Sequence, residues 1–146
     1  MRFITPGRTQ NREEARQDLE KRMATTTDPL GYWIVELKEN HAFVGWMALK
    51  QLDDEPVLEI GYRFLENYWG QGYATEGGRK ILEYAFLTLS VERVAAIAME
   101  ENRASTRVME KLGMRYRRTG CFYNAECVYY EILRTDFLAE EAPDQQ

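Results

Sequence analysis

The chain is poor in several residue types, and each shortage narrows what it can do. It has one histidine, His41, and two cysteines, Cys121 and Cys127, in 146 residues. Their spacing fits no zinc pattern and His41 cannot complete one, so no metal site is expected. A single histidine also rules out several common triads, leaving carboxylates and tyrosines for proton work. His41 follows Lys38-Glu39-Asn40 and reads as a solvated turn residue. No apolar run approaches the ~20 residues needed to span a bilayer. Residues 1–6, Met-Arg-Phe-Ile-Thr-Pro, lack the apolar stretch of a signal peptide. No membrane partner is expected, and the cysteines read as small side chains in a reducing cytoplasm, with a disulfide across a hairpin or a redox role as the alternatives. A basic surplus is also missing. With 19 Lys and Arg against 24 Asp and Glu, the net charge is −5, which argues against nucleic acid. The acidic balance suits solubility and cationic partners such as amines.

What is present is enough for one core: 45 % of the residues are apolar. Residues 1–138 are expected to form a single α+β domain, with an acidic flexible tail over 139–146. Pro6-Gly7 opens a turn. A helix follows over about 10–23, with Asn11 and Glu14 as a capping box and Ala15, Leu19 and Met23 as its stripe. Three runs rich in β-formers, 32–37, 42–49 and 57–64, are separated by short polar turns and predict an antiparallel meander. The apolar period then changes to 3.6 over 74–89. A buried strand over 93–99 and a helix over 103–112 follow, the latter stopped by Leu112-Gly113. Two strands, 115–123 and 128–134, close the chain as a hairpin. Strand, helix, strand at this spacing predicts a parallel crossover, so the sheet is mixed.

Between the third strand and its helix lies Tyr68-Trp69-Gly70-Gln71-Gly72-Tyr73-Ala74-Thr75-Glu76. Glycines there let backbone amides turn toward one point, and the helix start adds partial positive charge, an arrangement suited to a pyrophosphate. A tight strand-to-helix turn accounts for Gly-Gln-Gly equally well. No Gly-Lys-Ser/Thr follows, and the dinucleotide fingerprint is not met. Asn102-Arg103-Ala104-Ser105, after the next strand, reads first as a helix cap.

The order of these parts, with Glu-Ile-Gly-Tyr at 59–62, Tyr-Trp-Gly-Gln-Gly-Tyr-Ala-Thr-Glu at 68–76 and Glu-Lys-Leu-Gly-Met at 110–114, resembles the GNAT superfamily of acetyl-CoA-dependent N-acetyltransferases. Within it, the chain is most similar to the branch acetylating the N-termini of ribosomal proteins. The resemblance runs from about Arg2 to Phe137. It implies a mostly antiparallel sheet flanked by helices and transfer of acetyl from acetyl-CoA to a primary amine, either a protein N-terminus or a small molecule. It also implies a binding site. The family's pyrophosphate signature, Arg/Gln-x-x-Gly-x-Gly/Ala, is matched at Gly72 and Ala74, while Trp69 stands where Arg or Gln is usual. The amides of Gln71, Gly72, Tyr73, Ala74 and Thr75 would hold the phosphates. The pantetheine arm would lie between two splayed strands, with the amide near Phe64 or Leu65 facing the acetyl carbonyl. Asn102 would hydrogen-bond the pantetheine, and Ser105 would sit near the thioester sulfur, where it orients more than it protonates. Many relatives place a tyrosine acid where this chain has Met109.

For the base, Glu59 is the leading candidate. It alternates with Leu58 and Ile60 and so faces away from the core they pack. A solvated outward carboxylate is the alternative. Glu100, Glu101 and Glu126 are weaker candidates. Arg79, Lys80, Arg103 and Arg107 lie near the turn in sequence, either to meet phosphates or as helix-surface charge. Tyr123, Tyr129 and Tyr130 could line an acceptor pocket or simply pack in the hairpin. By the match of residues 1–4, the family's first strand and first helix are expected to be absent. Strand 32–37 would then be an exposed edge, which a second copy of the chain would cover as a homodimer.

Overall fold

A computed structural model describes residues 30–141. The expected turn at Pro6-Gly7, the helix over 10–23 and the last five residues of the tail lie outside the described residues.

Among the described residues, six strands form one sheet in the order β1-β2-β3-β4-β6-β5. β1 (Gly31–Glu36), β2 (Phe43–Gln51) and β3 (Leu58–Phe64) are the antiparallel meander. The chain then enters α1 (Tyr73–Glu83), which runs on through a wider π turn over Tyr84–Thr88. β4 (Arg93–Ala98) returns parallel to β3. α2 (Arg103–Lys111) leads into the hairpin of β5 (Arg115–Phe122) and β6 (Ala125–Leu133), and β6 slots between β4 and β5. A helix not expected from the sequence, α3 (Arg134–Glu141), follows directly.

The alternation of side chains along each strand gives the sheet two different faces. Val94, Ala96, Val128 and Ile132 point to the face covered by the helices. There they meet Leu82 and Phe86 of the α1 segment, Met109 and Leu112 of α2, and Phe137 of α3. Helices α1 and α2 pack closely because Gly78 lacks a side chain, since a methyl there would come within 2.8 Å of Leu112 Cδ1. The intervening residues, Ala95, Cys127 and Tyr129, point the other way and pack with Leu52 and Phe122 under the curled β5–β6 hairpin. Both cysteines are free thiols, Cys127 buried and Cys121 exposed. Among the described residues β1 is the sheet's edge, with Trp33 38 % and Ile34 53 % exposed.

One irregularity positions everything that follows. β3 and β4 pair only at Leu58↔Val94 and Glu59↔Ala95, although they run on to Phe64 and Ala98. Beyond those two pairs the parallel ladder stops, which opens a crevice at the carboxyl ends of adjacent parallel strands. Such crevices are where open sheets receive ligands.

Candidate functional site

The first wall of the crevice is backbone. Gly72 caps α1 in a left-handed conformation, φ 83°, and Gly70 is also left-handed, φ 73°. A side chain at position 72 would be strained there. Trp69, where the family signature has Arg or Gln, folds its indole back so that Nε1 donates to the Phe64 carbonyl at 3.0 Å. That bond closes the loop between β3 and α1 and presents the helix start to the crevice. The first helical bond runs from Glu76 N–H to the Gly72 carbonyl, 3.0 Å. The N–H groups of Gly72, Tyr73, Ala74 and Thr75 have no acceptor among the described residues, as expected for the first turn of a helix. They border a cavity of about 460 Å3 that Gly72, Tyr73, Ala74 and Thr75 line from one side and Asn102, Ser105, Arg107 and Lys111 from the other.

α2 supplies that opposite side. Asn102 is its cap, and its Oδ1 accepts from Ser105 N–H at 3.2 Å. The capping role expected from the sequence is therefore real, and it leaves the Asn102 amide NH2 without a partner among the described residues. Ser105 Oγ lies 3.1 Å from the phenol oxygen of Tyr62, on β3. Tyr62 was quoted in the sequence only as part of Glu-Ile-Gly-Tyr. Its meeting with Ser105, 43 residues away, depends on the splay and has no local signal. Burial pushes the Tyr62 phenol above its ordinary value, only partly offset by its bond to Ser105.

A second cavity, about 400 Å3, lies on the other side of this pair. Tyr62, Ala74, Asn102, Ser105 and Val108 line both cavities, so the two meet at the Tyr62–Ser105 contact. Glu59 lines the second. It does face away from Leu58 and Ile60, but it is only 6 % exposed, which corrects the alternative of a solvated outward carboxylate. The curled hairpin covers it. Tyr123, at the hairpin tip, donates from Oη to Glu59 Oε2 in a short hydrogen bond. The same Oη accepts from Lys50 Nζ, 2.7 Å, and from Asp53 N–H, 2.8 Å, while Tyr123 N–H donates to Asp53 Oδ2 at 2.9 Å. Lys50 Nζ is also 3.4 Å from Glu59 Oε2. Burial raises the Glu59 carboxyl above the ordinary carboxylate range, against the lowering effects of Lys50 and Tyr123. The other oxygen, Oε1, sits beside Gly61.

The remaining candidates separate cleanly. Phe64 lines the first cavity, whereas Leu65 lines neither and its N–H already donates to the Val44 carbonyl at 2.9 Å. Of the two residues expected near the acetyl carbonyl, Phe64 is the one that borders a cavity. Gln71 is exposed in the turn, its side chain donating to the Asn67 carbonyl at 3.2 Å. Of the basic residues proposed from sequence, Arg107 reaches the cavity wall. Arg79 donates to the Lys111 carbonyl, Lys80 pairs with Glu83, and Arg103 lies on the exposed surface. Lys111, which sequence reasoning missed, joins Arg107. Glu100, Glu101 and Glu126 are exposed and line neither cavity. Tyr129 stacks on Phe122 and donates to Glu131, and Tyr130 packs edge-on to Tyr116, so of the three hairpin tyrosines Tyr123 alone lines the second cavity. Among the described residues, no three His, Cys, Asp or Glu side chains are grouped to hold a metal ion, and no helix is long and apolar enough to cross a membrane.

A crevice between splayed strands, faced by a glycine turn and a helix start, decides the family when set beside known proteins. The sequence profile of the acetyltransferase (GNAT) domain matches residues 1–115. The chain belongs to the GNAT acetyltransferase family. It is similar to YkkB of Bacillus subtilis, an uncharacterized protein, at 39 % identity over 101 residues, covering 68 % of this chain and 59 % of YkkB. It is also similar to the FsC-acetyl coenzyme A-N(2)-transacetylase of Aspergillus fumigatus, at 32 % identity covering 98 % of this chain and 68 % of that one. The crystal structure of a GNAT-family acetyltransferase from Bacillus anthracis superposes with a TM-score of 0.72 at 30 % identity, covering 91 % of this chain and 80 % of that chain. The chain thus spans about three fifths of the length of YkkB. Its mixed α+β fold, a mostly antiparallel sheet flanked by helices, is that of the family.

Proposed function

We propose that this protein transfers an acetyl group from acetyl-CoA to a primary amine, a protein N-terminus or a small molecule, by direct attack with both substrates bound. The observation that carries the reading is the junction. One cavity bordered by unpaired amides meets a second cavity holding a buried carboxylate, and Tyr62, Asn102 and Ser105 line both. Acetyl-CoA supplies the activated acetyl thioester. The residues present fit it: the unpaired amides from Gly72 to Thr75 would hold its phosphates, with Arg107 and Lys111 adding charge. Asn102 donates to the pantetheine, and Phe64 lies at the acetyl end.

In the second cavity Glu59 is the base. A free α-amine has a pKa near ~8 and is already partly neutral at pH 7, so the base has one proton to remove. A carboxyl pushed up by burial is better matched to that task than an ordinary one. Lys50 and Tyr123 fix Oε2, which leaves Oε1 toward the acceptor. Ser105 serves the departing sulfur. General-base help contributes about 10²–10⁴ in rate, and holding amine and thioester together adds comparably.

The likeness to ribosomal-protein N-terminal acetyltransferases rests on the three quoted segments and gives a protein N-terminus as the first acceptor to try. The homodimer covering the β1 edge belongs to the same reading; sedimentation at micromolar concentration is expected to give a dimer, and a stable monomer overturns it. A second reading, an acyl-CoA-binding relative without turnover, is favoured by the engagement of Glu59 Oε2 with Lys50 and Tyr123. A screen of acetyl-CoA against amines and N-terminal peptides, followed by release of free thiol, separates the two. Thiol release with at least one acceptor supports transfer. Binding of CoA without release by any acceptor supports the second reading.

A further inference from the structure

Met109, on the α2 face toward the sheet, is buried in the core at 5 % exposure and offers no proton. A phenol nevertheless stands at the junction of the two cavities. It comes from β3 rather than α2, and it reaches Ser105 rather than facing open space. We propose that Tyr62 is the positioning residue for Ser105: its phenol donates to Ser105 Oγ, which leaves the serine's own proton to hydrogen-bond the sulfur of bound CoA.

Three observations carry this. The oxygens are 3.1 Å apart, a hydrogen bond that either can donate. A serine hydroxyl rotates freely unless a partner fixes it, and one accepted bond leaves it one proton to give. The serine backbone is itself held, since Ser105 N–H donates to the cap Asn102 Oδ1, so only the hydroxyl rotor remains to be set. The raised affinity of Tyr62 for its proton keeps the phenol protonated, and so able to donate, across the neutral range.

The proposal rests on the acetyl-transfer reading. In that step the amine nitrogen forms its bond to the acetyl carbon as the carbon–sulfur bond breaks, and the sulfur leaves with the electron pair. The proton lost by nitrogen goes to Glu59, and the thiolate is neutralised by a proton from solvent, so CoA departs as a thiol. Ser105 donates a hydrogen bond to the sulfur throughout and Tyr62 keeps its proton. Neither is consumed.

The test does not need the acceptor. CoA itself is the probe, and the quantity read is the acid dissociation constant of its thiol on the protein. It is followed by thiolate absorbance and corrected with CoA lacking the sulfur, so that protein tyrosines cancel. A hydrogen bond to an anion shifts such a constant by about tenfold or more. The wild-type protein is expected to make bound CoA about tenfold more acidic than CoA in solution. Ser105→Ala abolishes the shift and Ser105→Thr retains most of it. Tyr62→Phe lowers it about three- to tenfold while CoA affinity changes less than threefold, and in the Ser105→Ala background Tyr62→Phe has no further effect. A wild-type thiol constant in Tyr62→Phe, or an undiminished Tyr62→Phe effect on top of Ser105→Ala, overturns the proposal while leaving the acetyl-transfer reading standing. Failure of the wild-type protein to bind CoA overturns both. Because Tyr62→Phe removes a single part-buried oxygen, thermal melting checks its fold. If it does not fold, loss of the shift in Ser105→Thr overturns the proposal in its place.

Discussion

The two cavities are built by different means. The first cavity takes its shape from local features: a left-handed glycine, an α-helix start and a capping asparagine, each set within a short stretch of sequence. The second cavity is made of side chains from distant segments, with Tyr123 reaching Glu59 across 64 residues and Lys50 across 73. A backbone site tolerates change in most side chains and fails at the few positions where a side chain cannot be placed. A side-chain site degrades gradually, one partner at a time.

Substitutions can break that contrast. The largest effect is expected for Gly72→Glu. It forces a non-glycine residue into φ 83° and places a carboxylate against the helix-start amides. CoA affinity measured by calorimetry should fall by more than about 100-fold, and retention of affinity would mean that the phosphates bind elsewhere. Next is Glu59→Gln, which should lower kcat by about 10²–10³ with CoA affinity unchanged. Its pH profile carries a sign. A base works only when ionised, and burial raises the Glu59 carboxyl, so wild-type activity should climb with pH through a limb lying above the ordinary carboxylate range. In Glu59→Gln that limb should vanish. Lys50→Met removes the leading lowering influence on Glu59 and should move the limb to still higher pH, with kcat reduced about tenfold at neutral pH; a limb that moves to lower pH would contradict the arrangement. The smallest effect is expected for Arg107→Ala. It is an exposed charge on the cavity wall, so CoA affinity should weaken about two- to fivefold, and less at high salt.

The same contrast explains what could be read in advance. The meander, the crossover helix, β4 and α2 follow from local periodicity, and their bounds fell within a residue or two over most of the chain. The glycine turn and the Asn102 cap were legible because glycine and a capping amide act on their own neighbours. Glu59 was picked out by strand alternation, yet its burial was not visible, since the hairpin that covers it comes some 60 residues later. Lys50 gives no signal in the sequence, and Tyr62 none beyond its place in Glu-Ile-Gly-Tyr. Each looks like an ordinary strand residue until the β3–β4 splay and the curl of β5–β6 bring their partners near. α3 is not legible: its residues span the end of the last expected strand, four domain residues with no expected element and the start of the expected tail, because the sequence shows only a weak apolar face around Phe137.

The most direct measurement is a crystal structure of the protein with CoA. The account predicts the diphosphate against the amides of residues 71–75, the pantetheine in the β3–β4 crevice beside Asn102, and the sulfur within hydrogen-bond distance of Ser105 Oγ. A CoA molecule bound outside that crevice, or one whose sulfur lies away from the Tyr62–Ser105 pair, would contradict it.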